Sequence, residues 1–206
     1  MKKLLLAASV ATFSTSALAS EGTFYIRGDV GASMLPKQTL SALNVKLKSS
    51  NHFLGSVGVG YFVMDNIRSE LVLANHFSAK QKYSSTSQTA KVSPTATSLS
   101  LKALLDVYDF GFGQVFLGAG IGASQVAGKL LTTGTVELSD KWKKKTKVSY
   151  ILTAGAGFDV GDGVKLDVAY SYVDEGKLSK LKTTTTTNYK YSMKSHNLTG
   201  GVRVEL

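Results

Sequence analysis

Apolar and polar residues alternate one by one along most of this chain, the period of a β-strand with two unlike faces. Eight segments carry the pattern. The first runs about Thr23–Ala32, with Phe24, Ile26, Gly28 and Val30 on one face and Tyr25, Arg27 and Asp29 on the other. The second, about Asn51–Val63, sets Phe53, Val57, Val59, Tyr61 and Val63 against His52, Ser56, Gly58 and Gly60. Ile67–Phe77, Thr95–Tyr108 and Gln114–Gln125 follow, then Lys147–Val160, Val164–Val173 and a closing segment from near Lys194. Short connections alternate with long ones. Met64–Asn66, Asp109–Gly113 and Gly161–Gly163 hold the Asp, Asn and Gly that hairpin turns need. Ser33–Ser50, Ser78–Pro94, Val126–Thr146 and Asp174–Met193 are long and rich in Lys, Ser and Thr. The pattern predicts an all-β fold: an eight-stranded antiparallel transmembrane β-barrel with short periplasmic turns and four long extracellular loops.

A closed barrel of alternating strands can hold its apolar face inside, as soluble carriers do, or outside against lipid. Charge placement separates the two. The apolar face of the eight segments holds no Asp, Glu, Lys or Arg. The other face holds Arg27, Asp29, Arg68, Glu70, Lys102, Asp106, Asp159, Lys165, Asp167, Arg203 and Glu205. Five cations against six anions nearly neutralise one another, as a filled interior requires, because an unpaired buried charge is costly. Gly58, Gly60, Gly118, Gly120, Gly122, Gly155, Gly157 and Gly201 share this polar face. Glycine weakens a solvated strand, but inside a narrow barrel it makes room for large side chains. The apolar face is therefore expected to meet lipid. Aromatics near the strand ends, Phe24, Tyr61, Tyr108, Phe110, Phe112 and Phe158 at one side and Phe77, Tyr150, Tyr172 and Tyr191 at the other, predict two interfacial girdles.

The 206 residues fit one domain after a leader. Lys2 and Lys3, an apolar run from Leu4 to Phe13 and the small residues Ala17 and Ala19 form a secretory signal, so residues 1–19 are expected to be removed and 20–206 to form the barrel. That composition and leader place the protein in a bacterial outer membrane. There is no cysteine, and His52, His76 and His196 lie on separate strands, so neither a metal site nor a cofactor is expected. The "GAGIG" stretch lacks the spacing of a nucleotide loop and keeps a period of two. His76 and Ser78 share a strand face, but no acidic orienting partner is evident nearby, and no enzymatic activity is expected.

The formal net charge is +10, and the long loops carry it. Lys37, Lys46 and Lys48 lie in the first loop; Lys80, Lys82 and Lys91 in the second. The third holds Lys129, Lys141, Lys143, Lys144 and Lys145 around Trp142, and the fourth Lys177, Lys180 and Lys182. A cationic rim attracts anions. The candidates are lipopolysaccharide phosphates of the bacterium's own leaflet, sulfated glycans, and acidic faces of host or serum proteins. Trp142 could anchor at the interface or stack on a sugar. Nucleic acid would satisfy the same charges, but an exported barrel does not meet it. The run of five threonines at 183–187 favours extended chain, so the fourth hairpin is a candidate for a projecting ribbon or a solvated loop.

At "GYFVMDNIRSELVL", "GQVFLGAGIGAS" and "HNLTGGVRVEL" the chain resembles small outer-membrane barrels of the opacity-porin and OmpA-like type, above all the adhesin-type surface barrels of rickettsiae. The resemblance implies a surface adhesin or serum-resistance factor, with an envelope-stabilising protein or a narrow porin as alternatives. It also implies insertion by the barrel assembly machinery. The family most often ends in Phe, where this chain has Leu206.

Overall fold

The computed structural model describes residues 21–40, 45–77, 81–84, 88–134, 138–178 and 191–206. Eleven strands are present: β1 Phe24–Leu35, β2 Gln38–Leu40, β3 Val45–Leu47, β4 Ser50–Met64, β5 Ile67–His76, β6 Gln81–Ser84, β7 Gln88–Asp109, β8 Gly113–Gly134, β9 Leu138–Gly161, β10 Val164–Leu178 and β11 Tyr191–Glu205. Eight of them form a closed ring in the order β1, β4, β5, β7, β8, β9, β10, β11, with β11 returning to β1. The seam between last and first strand is continuous from Tyr25↔Glu205 to Met34↔His196. Each backbone group there has a partner, which a sheet in lipid requires because hydrocarbon offers no hydrogen bonds. β2 pairs with β3, and β6 adds to β7, at the loop end.

The interior is polar and the exterior apolar. Arg68 and Arg203 are 0 % exposed, whereas Leu101 is 56 % and Leu152 61 % exposed. That inverts the usual distribution of residue types and identifies the solvent of the outer face as lipid. Alternation sets it: Tyr25, Arg27 and Asp29 are buried and Phe24, Ile26, Gly28 and Val30 exposed along β1. The glycines fit the close interior. A β-carbon at Gly118 would run into the Leu104 side chain, and one at Gly157 into the Asp167 carboxylate.

Short turns close one end. At Gly161-Asp162-Gly163 three successive residues take positive φ (112°, 52° and 73°), a conformation open to Gly and tolerated by Asp. Phe24 packs on Tyr61 (ring centroids 4.8 Å apart) and Phe110 on Phe112 (4.7 Å) at this end, forming the inner girdle. At the other end Phe53 lies against Phe77 (5.5 Å), and Tyr150, Tyr170 and Tyr172 continue the belt. The side chain of Tyr191 lies outside the described residues.

One expectation needs correction. The segments Ser78–Pro94 and Val126–Thr146 read as loops, yet β7 begins at Gln88, β8 continues to Gly134 and β9 starts at Leu138. Pairing runs to Gln88↔Gly134 and Thr132↔Leu138, so three strands project together above the outer girdle. The strict alternation ends where lipid ends, because no hydrocarbon then selects one face. Backbone pairing and the β-favouring Val and Thr carry the strands further. The fourth loop, read as 174–193, is strand at its two ends, where β10 runs to Leu178 and β11 starts at Tyr191; the threonine run, offered as a ribbon or a solvated loop, lies in 179–190, outside the described residues.

Candidate functional site

Three features occupy the lumen and the strands that project beyond its outward end. The first is an ion network threading the lower and middle lumen. Arg27 of β1 bonds Asp29 through Nε (3.0 Å) and Glu70 through Nη1 (2.7 Å), and lies 3.9 Å from Asp167. Arg203 of β11 reaches Asp167 (3.2 Å) and Glu205 (3.0 Å), and Lys165 of β10 reaches Glu205 (3.7 Å) and Asp159 (2.8 Å). Arg68 of β5 bonds Asp106 (2.9 Å), with its guanidinium 4.8 Å from the Phe116 ring centre. Tyr25 donates to Glu70 at 2.8 Å. Lys102 stands opposite Glu70 in the β5–β7 register. Ten of the eleven charges expected inside form a near-continuous cross-strand web; Asp159 departs from that expectation, its side chain 42 % exposed at the turn end, where it can reach water. Together with Tyr25, Phe62, Leu104 and Phe116 the ten close the periplasmic half of the lumen. Above the web lies a polar cavity of about 50 Å³, lined among others by Ser98, Ser100, Lys102, Ser171, Asn197 and His76. It has room for a water or two and no wide passage.

The second feature is a row of side chains over that cavity. His52 of β4 and His76 of β5 approach with Nε2···Nδ1 3.3 Å. His76 Nε2 lies 3.7 Å from Glu175 Oε1 of β10, and Ser124 of β8 donates to the same oxygen at 3.5 Å. Sequence spacing hides this group, since its members are 51 and 24 residues apart where they touch. Two expectations change here. The separate strands of His52 and His76 are neighbours in the ring, and His76 has an acidic partner after all. Ser78 lies outside the described residues. Among the described residues no group of three or more His, Cys, Asp or Glu side chains is placed to hold a metal ion. β10 crosses a bilayer with its first roughly nine to eleven residues, which leaves Glu175 beyond the span. Burial pushes its carboxyl up to about 7, against the hydrogen bond from Ser124.

The third feature is cationic. Lys91, Lys129 and Lys144 are exposed on the β7–β8–β9 projection. Lys129 stands directly opposite Lys141 and Ser93 in the register, and the exposed Lys91 and Lys129 lie on the face that continues the lipid-facing side. Trp142 is opposite Gly128 in the β8–β9 register. Two residues of β9, Lys143 and Lys144, face the single Ala127 in a β-bulge, beyond which Lys145 pairs with Val126. Lys37, Lys48 and Lys177 are exposed at the loop end. Lys46 lies in β3 and Lys82 in β6, while Lys80, Lys180 and Lys182 fall outside the described residues.

Comparison with known proteins agrees with this architecture. Residues 5–205 match the family model of the outer membrane protein beta-barrel domain. A protein named "Putative adhesin" from Rickettsia bellii (strain RML369-C) is 36% identical over 230 residues, covering 100% of both chains. One of the same name from Rickettsia massiliae is 34% identical over 222 residues, covering 100% of this chain and 99% of its own. Among solved structures, Neisserial surface protein A superposes with a TM-score of 0.58 at 20% identity, over 90% of this chain and 100% of the other.

Proposed function

Because the chain belongs to the outer-membrane β-barrel family, and its projecting strands stand outside the cell, we propose that it is an adhesin whose lysine-bearing ribbon binds an anionic surface on host cells or serum components. The height of the cations carries this reading. β8 crosses the bilayer with its first roughly nine to eleven residues, so Lys129 stands about 15 Å above the hydrocarbon edge at ordinary barrel tilt. Leaflet phosphates lie nearer that edge, so the ribbon's charges are held out toward a second surface. Register supports the same reading. Like charges directly opposite across strands destabilise a sheet, and Lys129↔Lys141 is such a pair. An approaching sulfate or carboxylate group removes that repulsion. The rickettsial relatives named "Putative adhesin" agree in kind.

The test is a quadruple variant, Lys91→Glu, Lys129→Glu, Lys141→Glu and Lys144→Glu, refolded beside the unmodified barrel. Both are applied to host cells, serum proteins and a sulfated glycan. Binding should fall at least about tenfold in the variant and weaken with salt in the parent, as exposed charge pairing does. Equal binding by two correctly folded barrels would sink the proposal.

A further inference from the structure

β5 and β10 lie on opposite sides of the eight-strand ring, with three strands between them in either direction. A contact between inward side chains of these two strands therefore crosses the lumen. His76 and Glu175 make that contact, with His52 extending it on β4 and Ser124 on β8. The row lies at the outward edge of the polar cavity, where His76 forms part of the lining. We infer that His52, His76 and Glu175 form a proton-sensitive crossbar that shuts the outward end of this cavity and releases it when both imidazoles become charged. This does not rest on the adhesin reading.

Proton counting gives the mechanism. With both rings neutral, His52 Nε2–H donates to His76 Nδ1, and His76 Nε2–H points at the Glu175 carboxylate. This assignment leaves His52 Nδ1 as a bare acceptor, and that atom is buried without a hydrogen-bond partner. Two added protons leave the row joined by donors facing acceptors as long as one of them sits on Glu175 and the other on a single ring. A third proton charges both rings and neutralises the carboxyl. N–H then faces N–H across the present 3.3 Å, with two cations in contact and no acceptor between them. The rings must part, and the edge of the cavity parts with them.

The surroundings do not offset that repulsion. From β9, Lys145 and Lys147 occupy the inner face, and the Lys147 stem packs against Gly176 beside Glu175. Ser98 of β7, Ser33 of β1, and Ser195 and Asn197 of β11 are buried and uncharged. Asp174 is turned to the outer face, where it lies 3.5 Å from Lys194.

The chain has no cysteine, so a single introduced thiol reports cleanly. Ser100 lines the cavity below the row and is 2 % exposed, and Lys177 is exposed at the rim. The full barrel carrying Ser100→Cys is treated with methylmercury, a small reagent that reacts with thiols in acid. Rates are divided by those of a Lys177→Cys barrel to remove the intrinsic effect of pH on the thiol. The ratio should rise at least about tenfold between about pH 7.5 and about pH 3, the lower end set below an imidazole's ordinary titration because burial lowers the His52 ring. With His52→Gln added the ratio should stay flat, because the amide can still accept from His76 but cannot take a charge. A flat ratio without that substitution, or an equal rise with it, overturns the proposal. Should the His52→Gln barrel fail to fold, imidazole NMR of the unmodified chain decides instead. His52 and His76 should titrate in coupled steps, and independent single-step titrations would overturn the crossbar.

Discussion

At the scale of single residues, the interior charges differ in what their loss should do. Arg27 is buried and joins Asp29 and Glu70. Replacing it by alanine leaves two carboxylates in the lumen without their partner, a change that costs about 3–5 kcal/mol. Lys165 bonds Asp159, whose side chain is 42 % exposed and can turn to water, and Glu205 keeps Arg203. Lys165→Ala should therefore cost about 1 kcal/mol or less. Urea-dependent folding into lipid vesicles measures both, and equal losses would mean that the web is not organised around Arg27. Glu175 gives a pH-dependent case. Its carboxyl is raised by burial to about 7 from 4.5. A carboxyl held above its unfolded value stabilises the fold fully below that unfolded value, and this is lost as pH rises through the folded value. The barrel should thus lose stability between 4.5 and about 7, and Glu175→Gln, which cannot ionise, should flatten that slope. Urea midpoints for both proteins at the two ends of the window check the sign.

At the scale of strands, glycines divide by face. A β-carbon at Gly60 would collide with the Tyr25 ring, whereas one at Gly28 meets nothing within 4 Å because that position faces lipid. Gly60→Leu should abolish the folded, heat-modifiable barrel on gels, and Gly28→Leu should leave it intact. The two strands of these glycines pair with each other, so local strand propensity cannot account for a difference. This division was legible in the sequence, because period-two alternation assigns a face to every residue wherever lipid enforces it. Arg27, Glu70 and Asp167 could be placed inside on that ground alone. Which of them pair could not, since pairing depends on the stagger between strands. The crossbar was illegible for the same reason: His76 and Glu175 meet across the lumen, and neither register nor spacing places opposite walls in contact. The outer ribbon was hidden by a different cause. Above the membrane no hydrocarbon selects a face, so Val126–Thr146 loses its alternation while remaining largely strand.

At the scale of the whole molecule, everything depends on a sheet that presents its uncharged side to lipid and folds its ions inward. A charge on the outer face tests this by depth. Leu117 of β8 is 50 % exposed and sits near the middle of the roughly nine to eleven residues that span. Val160, 60 % exposed, lies one residue before the turn glycine Gly161 at the inner girdle. Leu117→Arg should cost about 2–4 kcal/mol in vesicle refolding, and Val160→Arg about 0–1 kcal/mol, because the penalty for a cation falls from the bilayer centre to its edge. A soluble barrel would show no such gradient, since both positions would already face water. The gradient also bears on the ribbon. The same inner-to-outer axis that puts Leu117 at mid-depth puts Lys129 above the hydrocarbon, so a flat response to arginine along β8 would remove the height on which the lysines' proposed role depends.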